Sequence, residues 1–338
     1  MLPKTFVKGF HNENDVKMMK YQPFGKTGMQ VSRLSLGCGG FCNIYGEFTL
    51  EQCKETVLQG LKSGINYIDT GPWYGQGVSE TILGKCLDGI PREAYYVATK
   101  IGRYEKDPRK MFDFSPEKTR ESLETSLKKL NVDYIDVIQM HDIEFAPSID
   151  YLINETLPVL LEAKKAGKVK LIGVTGYPVS TLAEFVRKCP EIDMILSYSR
   201  LTLFEQELHT FQDDFMNVAV VNAAVLGMGL LTSSGPQSWH PAHQCIKEAC
   251  KGAADYCQKN DVDISKLALS FAFDNYGDTV LNGMNNPELL KSSLKVLQEG
   301  LTPKELQIQA DIKKMYFDPL SIRNWENVEI NAFKKFLE

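Results

Sequence analysis

The chain has 338 residues, of which 43% are hydrophobic and 24% are charged, and this composition excludes a largely disordered or fibrous protein. Its 38 basic and 43 acidic residues give a formal net charge of −5. Because this charge exerts no overall attraction on nucleic acid or an anionic membrane, we expect neither as a partner. The length fits two domains of ordinary size. It also fits a single α/β barrel, since such barrels often run to more than about 200 residues as one domain.

The eight cysteines are scattered along the chain and form no C-x-x-C pair. We interpret them as free thiols in a reducing cytoplasm. The stretch closest to a metal-binding pattern contains His240, His243, Cys245 and Cys250, but it also fits a loop entering a helix, so we predict no metal. The N-terminus lacks the apolar core of a secretory signal, and the apolar run at 218–231 is shorter than the ~18 residues of a membrane span. We therefore expect a cytoplasmic protein.

The order of predicted elements is that of a barrel. A polar N-terminal arm (residues 1–19), expected to be loose, precedes two short β-like runs around a glycine-containing turn at 21–32, which predict a hairpin. Short β-branched runs then alternate with amphipathic helical patterns, as in βα units, with an elaborated loop around 232–262 and a C-terminal extension at 303–338. The strand candidates are 33–37, 67–69, 94–100, 134–141, 169–175, 194–198, 218–223 and 279–283. Eight such strands predict a (β/α)8 TIM barrel, which we interpret as a single domain over 1–338.

Helix signals fall between these strands. Thr49 and Gln52 form a capping box, Ser115 followed by Pro116 opens another helix, and Gly167 ends a third. Further helices are predicted at 178–189, 242–259, 264–275 and 286–299.

Two glycine-rich segments resemble nucleotide-binding loops without meeting their requirements. FGKTG at 24–28 lacks the first glycine of a P-loop, and no helix follows it. GCGGF at 37–41 follows a strand, but Cys42 occupies the position of the third glycine in a dinucleotide fingerprint. We interpret the second segment as a tight turn, which is compatible with backbone packed against a flat ligand.

Four polar residues lie at or just after the ends of successive predicted strands, namely Asp69, Tyr74, Lys100 and His141. In a parallel barrel these ends share the face on which active sites lie. An ammonium beside a phenol favours the phenolate, and a carboxylate keeps a buried ammonium paired. A histidine can orient a carbonyl or hydroxyl oxygen. The set predicts proton transfer to or from an alcohol oxygen, without a metal, next to a bound hydride carrier.

The sequence resembles the aldo-keto reductase family over about residues 20–300. The motifs that carry the resemblance are INYIDTGPWYG with SETILG, VATKIG, YIDVIQMHD, GKVKLIGVTG and GMGLLT. The resemblance implies a barrel whose base is closed by an N-terminal hairpin. It also implies that Tyr74 is the general acid/base, that Lys100 and Asp69 adjust its pKa, and that His141 orients the substrate.

Shorter motifs, HDIEF, NETLP, LSY and GMN, are similar to the branch of this family that contains the L-galactose dehydrogenases. That branch oxidises an aldose at C1 to a lactone with NAD. By this resemblance Ala223 replaces the aromatic residue that many members stack on nicotinamide, and Ser197 replaces a glutamine that holds its carboxamide. Two alternatives stay open, an NADPH-dependent carbonyl reductase of small aldehydes and a cofactor-sensing interaction subunit.

The preferred cofactor is NAD rather than NADP, because the loop at 282–293 has no basic residue before Lys291 to meet a 2′-phosphate. The pyrophosphate is expected against backbone N–H groups of 226–230 and the start of the helix near 286. The implied cofactor contacts are Gly37, Gly39, Asp69, Thr175, Gly176, Ser197, Asn222, Leu226, Met228, Leu230, Gly283, Met284, Asn285 and Ser293. The expected substrate, a small sugar or aldehyde, is assigned to Tyr45, Trp73, Tyr74, His141 and Asp142. The sequence names neither the sugar nor the oligomeric state.

Overall fold

The eight-stranded barrel expected from the sequence is present in a computed structural model, which describes residues 2–338. The strands are β1 (Tyr21–Pro23), β2 (Gln30–Ser32), β3 (Leu34–Gly37), β4 (Tyr67–Asp69), β5 (Tyr96–Ile101), β6 (Ile135–Met140), β7 (Val169–Gly176), β8 (Met194–Tyr198), β9 (Ala219–Ala223) and β10 (Thr279–Gly283). The helices are α1 (Glu13–Met18), α2 (Leu50–Lys62), α3 (Val78–Leu87), α4 (Pro108–Met111), α5 (Pro116–Leu130), α6 (Ile149–Tyr151), α7 (Leu157–Lys165), α8 (Val179–Lys188), α9 (Glu207–Thr210), α10 (Gln244–Lys259), α11 (Ile264–Asp274), α12 (Pro287–Glu299), α13 (Pro303–Ile312) and α14 (Val328–Leu337).

Strands β3 to β10 close into a parallel barrel in sequence order, with β10 paired to β3. Side chains alternate between the interior and the helical layer, as the strand period of two requires. Tyr67, Ala98, Val137 and Leu171 share one buried cluster with alternate residues of β8 and β9 and with Leu281 of β10, and this cluster fills the barrel. All eight strands therefore present their C-terminal ends at one mouth, as predicted.

The hairpin of β1 and β2 closes the opposite end of the barrel, as expected from the sequence. The two strands pair antiparallel. Phe24, in the turn between them, is fully buried in the same cluster as the barrel interior, and its ring lies 5.4 Å from that of Tyr67. The backbone N–H of Gly25 donates to the Asp278 carboxylate at 2.9 Å, which ties the turn to the loop before β10.

The prediction of a loose N-terminal arm is wrong. Residues 13–18 form α1, and Val16 and Met19 are buried against the barrel. The Thr5 hydroxyl accepts a hydrogen bond from the Asn66 side chain at 3.0 Å. A few well-placed apolar residues therefore anchor this mostly polar segment.

Helix α3 was not predicted, and its interior contains Gly84, a residue that disfavours helix. Gly84 is where α3 crosses the end of α5. A Cβ at this position would lie 2.2 Å from the backbone oxygen of Lys129, so only glycine permits the observed helix packing.

We expect Gly84→Ala to lower the free energy of unfolding by about 1–3 kcal/mol, because the added methyl group forces α3 away from α5. Gly60→Ala is the matched control, since a Cβ at this helical glycine of α2 would make ordinary contacts of 3.6 Å. The control is expected to be neutral or up to about 1 kcal/mol more stable, because alanine favours helix. Urea unfolding of both variants measures the difference, and equal stabilities would contradict this view of the α3–α5 contact.

The C-terminal extension packs on the rim of the barrel mouth. Trp325 is 1% exposed, with its ring stacked 4.7 Å from that of Tyr177, which follows β7. Phe333 of α14 meets the rings of Phe112 and Phe145 edge-on, at 5.2 and 5.5 Å. The extension thus covers the ends of β6 and β7.

Both ring nitrogens of His240 are occupied, one by the backbone oxygen of Gly227 and one by the N–H of Ala242. Within residues 2–338 no group of three or more His, Cys, Asp and Glu side chains is arranged to hold a metal ion. Over the same residues, no helix has the length and apolar character needed to cross a membrane.

Candidate active site

The four residues singled out at the strand ends meet at the barrel mouth. Asp69 ends β4, Lys100 lies in β5, His141 directly follows β6, and Tyr74 lies in the loop after β4. The register pairs Asp69 with Ala98, and Lys100 with Gln139. Since Lys100 and His141 continue the alternation of Ala98 and Val137, their side chains face the barrel interior.

Lys100 is held by a buried network. Its ammonium is paired with Oδ1 of Asp69 and donates to the backbone oxygen of Thr70 at 2.6 Å. The Gln139 amide donates to Oδ2 of Asp69 at 2.7 Å, a contact that the sequence analysis missed. Burial opposes the charge on Lys100, but the carboxylate of Asp69, with Tyr74, raises the pKa of this lysine above its ordinary value. Lys100 therefore stays charged throughout the physiological range.

Tyr74 lies against this ammonium, with Nζ of Lys100 4.9 Å from the centre of the phenol ring. Burial raises the pKa of Tyr74 above its ordinary value, and the charge of Lys100 acts in the opposite direction. The lowering effect of Lys100 was predicted. The expectation that the pKa of Tyr74 falls overall is wrong, because burial raises this pKa by more than the ammonium lowers it. Tyr74 is consequently a protonated phenol near neutral pH.

His141 also lies against the phenol, with the two rings 5.9 Å apart and at 70°. Burial lowers the pKa of His141 to about 3, so the imidazole is neutral and offers one N–H donor and one acceptor. Its Nδ1 is buried and finds no hydrogen-bond partner among residues 2–338. A neutral imidazole suits the orientation of an uncharged substrate oxygen.

Asp142 lies beside His141 as half of an ion pair. Its Oδ2 lies 2.6 Å from the Arg103 guanidinium and 3.8 Å from Nε2 of His141. Although burial acts to raise it, the pKa of Asp142 is lowered by the positive charge and hydrogen bond of Arg103, so the carboxylate is ionised. Arg103 stacks 4.2 Å from the ring of Trp73. The sequence analysis missed Arg103, and only the fold of the loop after β5 brings it here.

Next to Asp69 of the tetrad, at the ends of β3 and β10, the mouth is lined by backbone with little side chain. Gly37 pairs with Gly283 across β3 and β10, and a Cβ on Gly283 would meet no atom within 4 Å. A Cβ on Gly39 would lie 3.9 Å from the Tyr74 ring. The glycine floor formed by Gly37 and Gly283 is therefore open over Gly283, where a flat group such as a nicotinamide ring has room, whereas Gly39 is already in contact with the Tyr74 ring.

The loop after β9 fits the phosphates of a dinucleotide. Leu226 is near the right-handed helical region, and Gly227, Met228 and Gly229 follow with φ angles of 58°, 51° and 102°. The change from the right-handed region at Leu226 to the left-handed region at Gly227 is the backbone pattern of an anion-binding nest. The N–H groups of Gly227 and Gly229 donate to the backbone oxygens of Ala224 and Leu226 in this structure. At the start of α12, Pro287 has no N–H and the Asn286 side chain accepts that of Leu289, so the N–H of Glu288 is the donor this helix start offers.

Several predicted cofactor residues do not turn their side chains to the mouth. Ser197 and Asn222 pair with each other, but they occupy the strand positions that face the helical layer. Met284 and Leu230 are buried in the outer core, and the Ser293 hydroxyl binds Asn282 and Leu289. These residues can reach a cofactor only through their main chain.

The remaining predicted residues lie around the mouth. Thr175 faces the interior and accepts the Asp142 N–H at 2.9 Å, and Gly176 follows it at the end of β7. The Asn285 amide donates to the oxygen of Gly40 at 3.4 Å. Tyr45 is 45% exposed and meets Trp239 edge-on at 5.9 Å, so the loops after β3 and β9 touch across the opening.

Comparison with known proteins agrees with this geometry. The family model described as "Aldo/keto reductase family" matches residues 33–314. The chain is 36% identical to L-galactose dehydrogenase of Arabidopsis thaliana over 288 residues, covering 83% of this chain and 89% of that protein. It is 31% identical to D-arabinose 1-dehydrogenase of Saccharomyces cerevisiae, covering 81% and 87%.

Among solved structures, an aldo-keto reductase of Bacillus halodurans in its holo form matches with a TM-score of 0.68 and 26% identity, over 87% of this chain and 96% of that one. Aldo-keto reductases use NAD(P)(H). The barrel, the tetrad at its mouth and the family match lead to one conclusion: the chain is an oxidoreductase that belongs to the aldo/keto reductase family.

Proposed function

We propose that this protein oxidises the C1 hydroxyl of an aldose to a lactone with NAD, and that Tyr74 is the general acid/base. The observation that carries the proposal is the cluster of Tyr74, Lys100, Asp69 and His141 beside a glycine floor. The two relatives whose names are those of aldose dehydrogenases support the substrate class.

The residues act on one oxygen of the substrate. The neutral imidazole of His141 donates a hydrogen bond to the C1 oxygen and directs it toward Tyr74. Tyr74, as phenolate, accepts the proton of the C1 hydroxyl, and Lys100 stabilises the phenolate that must form first. A bound nicotinamide supplies the hydride acceptor for C1. Asp142 and Trp73, next to His141, are proposed to contact the remaining sugar hydroxyls and ring.

The proposed contacts with the dinucleotide are mainly main-chain. Gly37 and Gly39 would face the nicotinamide ring, and the nest at 226–229 with the N-terminus of α12 would hold the pyrophosphate. The preference for NAD rests on charge. Met284 is buried, Leu289 is exposed, and Lys291 is the first cation of this segment. A 2′-phosphate would find little to pair with there.

A substrate panel tests the proposal. Initial rates are measured with L-galactose and D-arabinose as donors, each with NAD and with NADP, and with methylglyoxal as acceptor for NADPH. We expect kcat/KM to be highest for an aldose with NAD, and we expect the product to be the lactone. A higher kcat/KM for aldehyde reduction with NADPH would favour the carbonyl reductase instead. Dinucleotide binding without turnover of any of these compounds would favour the interaction subunit.

A further inference from the structure

Gln139 contacts the buried ion pair of the active site, although it lies outside the tetrad. It belongs to β6 and is 0% exposed. Its backbone pairs with that of Lys100 across β5 and β6. Because it lies between Val137 and His141 in the alternation along β6, its side chain faces the barrel interior, one interior position below His141.

The carboxylate of Asp69 is held at both of its oxygens. Its Oδ1 is paired with the Lys100 ammonium, and its Oδ2 accepts a hydrogen bond from the Gln139 amide at 2.7 Å. All three side chains are buried, so solvent offers little to replace either donor. Because a carboxylate is planar, the contact that fixes Oδ2 on Gln139 also fixes the direction in which Oδ1 faces Lys100.

Asp69 in turn positions the ammonium of Lys100. Besides its pairing with Asp69, the ammonium donates to the backbone oxygen of Thr70 at 2.6 Å. An ammonium has three N–H groups, so these two contacts leave one. The remaining N–H is available to Tyr74, whose ring centre lies 4.9 Å from Nζ of Lys100. A carboxylate turned away from Lys100 would release the ammonium from this direction.

The charges around Tyr74 act on its pKa in opposite directions. Lys100 lowers this pKa, whereas Asp69 and Asp142 raise it. His141, the other titratable group against the phenol, is neutral and adds no charge. The fraction of phenolate therefore depends on where the Lys100 ammonium lies and on how much of the Asp69 charge reaches Tyr74.

We propose that Gln139 is a positioning residue of the active site, which holds Oδ2 of Asp69 so that Oδ1 stays on the Lys100 ammonium and the ammonium stays beside Tyr74. The proposal rests on the proposed role of Tyr74 as general acid/base. The amide also attracts part of the Asp69 charge, which would otherwise act in full on Tyr74. Loss of the amide is therefore expected to raise the pKa of Tyr74 and to leave less phenolate near neutral pH.

Gln139→Met tests the proposal, because methionine fills a similar space in a packed interior but donates no hydrogen bond to Asp69. We expect the rising limb of the pH profile for aldose oxidation to move about one pH unit higher, and kcat at neutral pH to fall about tenfold with it. Steady-state rates with NAD between pH 6 and about 10 measure both quantities. An unshifted profile, or one that moves to lower pH, would overturn the proposal.

Thr279→Val is the matched control for lost stability. Thr279 is fully buried at the start of β10, at the end of the barrel opposite the mouth, and its hydroxyl donates to the backbone oxygen of Ser32 at 2.8 Å. Both variants lose a buried hydrogen bond, so both are expected to unfold at a lower urea concentration than the wild type. Only Gln139→Met is expected to shift the pH profile, and an equal shift in Thr279→Val would contradict a positioning role.

A double-mutant cycle shows whether Gln139 acts through Asp69. Asp69→Asn alone is expected to be slow, and adding Gln139→Met to it is expected to change kcat less than about twofold, because the carboxylate that Gln139 holds is gone. A further loss of about tenfold in the double variant would overturn the proposal.

Tyr74→Phe separates this result from a failure of the proposed function. If Tyr74 is not the general base, Tyr74→Phe keeps its activity, and the positioning role of Gln139 falls with the mechanism. If the positioning role alone is wrong, Tyr74→Phe is inactive while Gln139→Met has the pH profile of the wild type.

Discussion

The Tyr74→Phe variant is expected to lose aldose oxidation almost completely while binding the dinucleotide nearly as well as the wild type. The substitution removes the hydroxyl that exchanges the proton and leaves the ring that lies against Lys100 and His141. General acid–base catalysis by one positioned group contributes about 10²–10⁴-fold, so kcat is expected to fall by at least this factor. Steady-state rates and a fluorescence titration with NAD measure the two quantities separately.

The matched control is Tyr45→Phe, which removes a phenolic hydroxyl from the same mouth. Tyr45 packs edge-on against Trp239, and its side chain is 45% exposed. Its hydroxyl has no role in proton transfer in the proposed mechanism, so kcat is expected to change little. A Tyr74→Phe variant that retains most of its kcat, or one that loses no more than Tyr45→Phe, would show that Tyr74 is not the general base.

Lys100→Met is expected to lower kcat for aldose oxidation about 10²-fold or more near neutral pH and to shift the pH profile. The phenol must lose its proton before it can act as a base, so the rate rises with pH below the pKa of Tyr74. Burial already raises this pKa, and Lys100 is the group that opposes the rise. Without the ammonium the pKa increases further, so the rising limb moves to higher pH. Rates between pH 6 and about 10 measure the shift.

The same substitution leaves Asp69 buried without its cation, which is expected to cost about 3–5 kcal/mol of stability. A double variant, Asp69→Asn with Lys100→Met, separates stability from catalysis. We expect the double variant to regain most of the stability in urea unfolding and to remain as slow as Lys100→Met. Recovery of activity together with stability would mean that Lys100 serves only the fold, and an unshifted pH profile would mean that it does not act on Tyr74.

The positions of the tetrad could be predicted because each residue lies next to a recognisable strand end. In a parallel barrel of strands in sequence order, that is sufficient to bring Asp69, Lys100 and His141 to one mouth. Gln139 was within reach of the same reasoning, since it alternates with His141 on β6 and so faces the interior. It was missed because only strand ends were considered.

Other features depend on how deeply a side chain is buried and on which way it points, and neither can be predicted from the local sequence. Burial outweighs Lys100 in setting the pKa of Tyr74, and local sequence does not reveal how deeply a side chain is buried, so this balance could not be worked out beforehand. Arg103 reaches Asp142 only because the loop after β5 turns back over Trp73. Ser197 and Asn222 lie near the ends of β8 and β9 as predicted, but their side chains face the helical layer and not the barrel mouth.

The most direct measurement follows the hydrogen on C1. The aldose with the highest kcat/KM is prepared with deuterium at C1 and oxidised with NAD, and the products are analysed by mass spectrometry and NMR. The account predicts that the deuterium is recovered in the reduced dinucleotide, that the sugar leaves as a lactone, and that Tyr74→Phe forms neither product at a comparable rate. Deuterium retained in the oxidised sugar, or oxidation at another carbon, would contradict it.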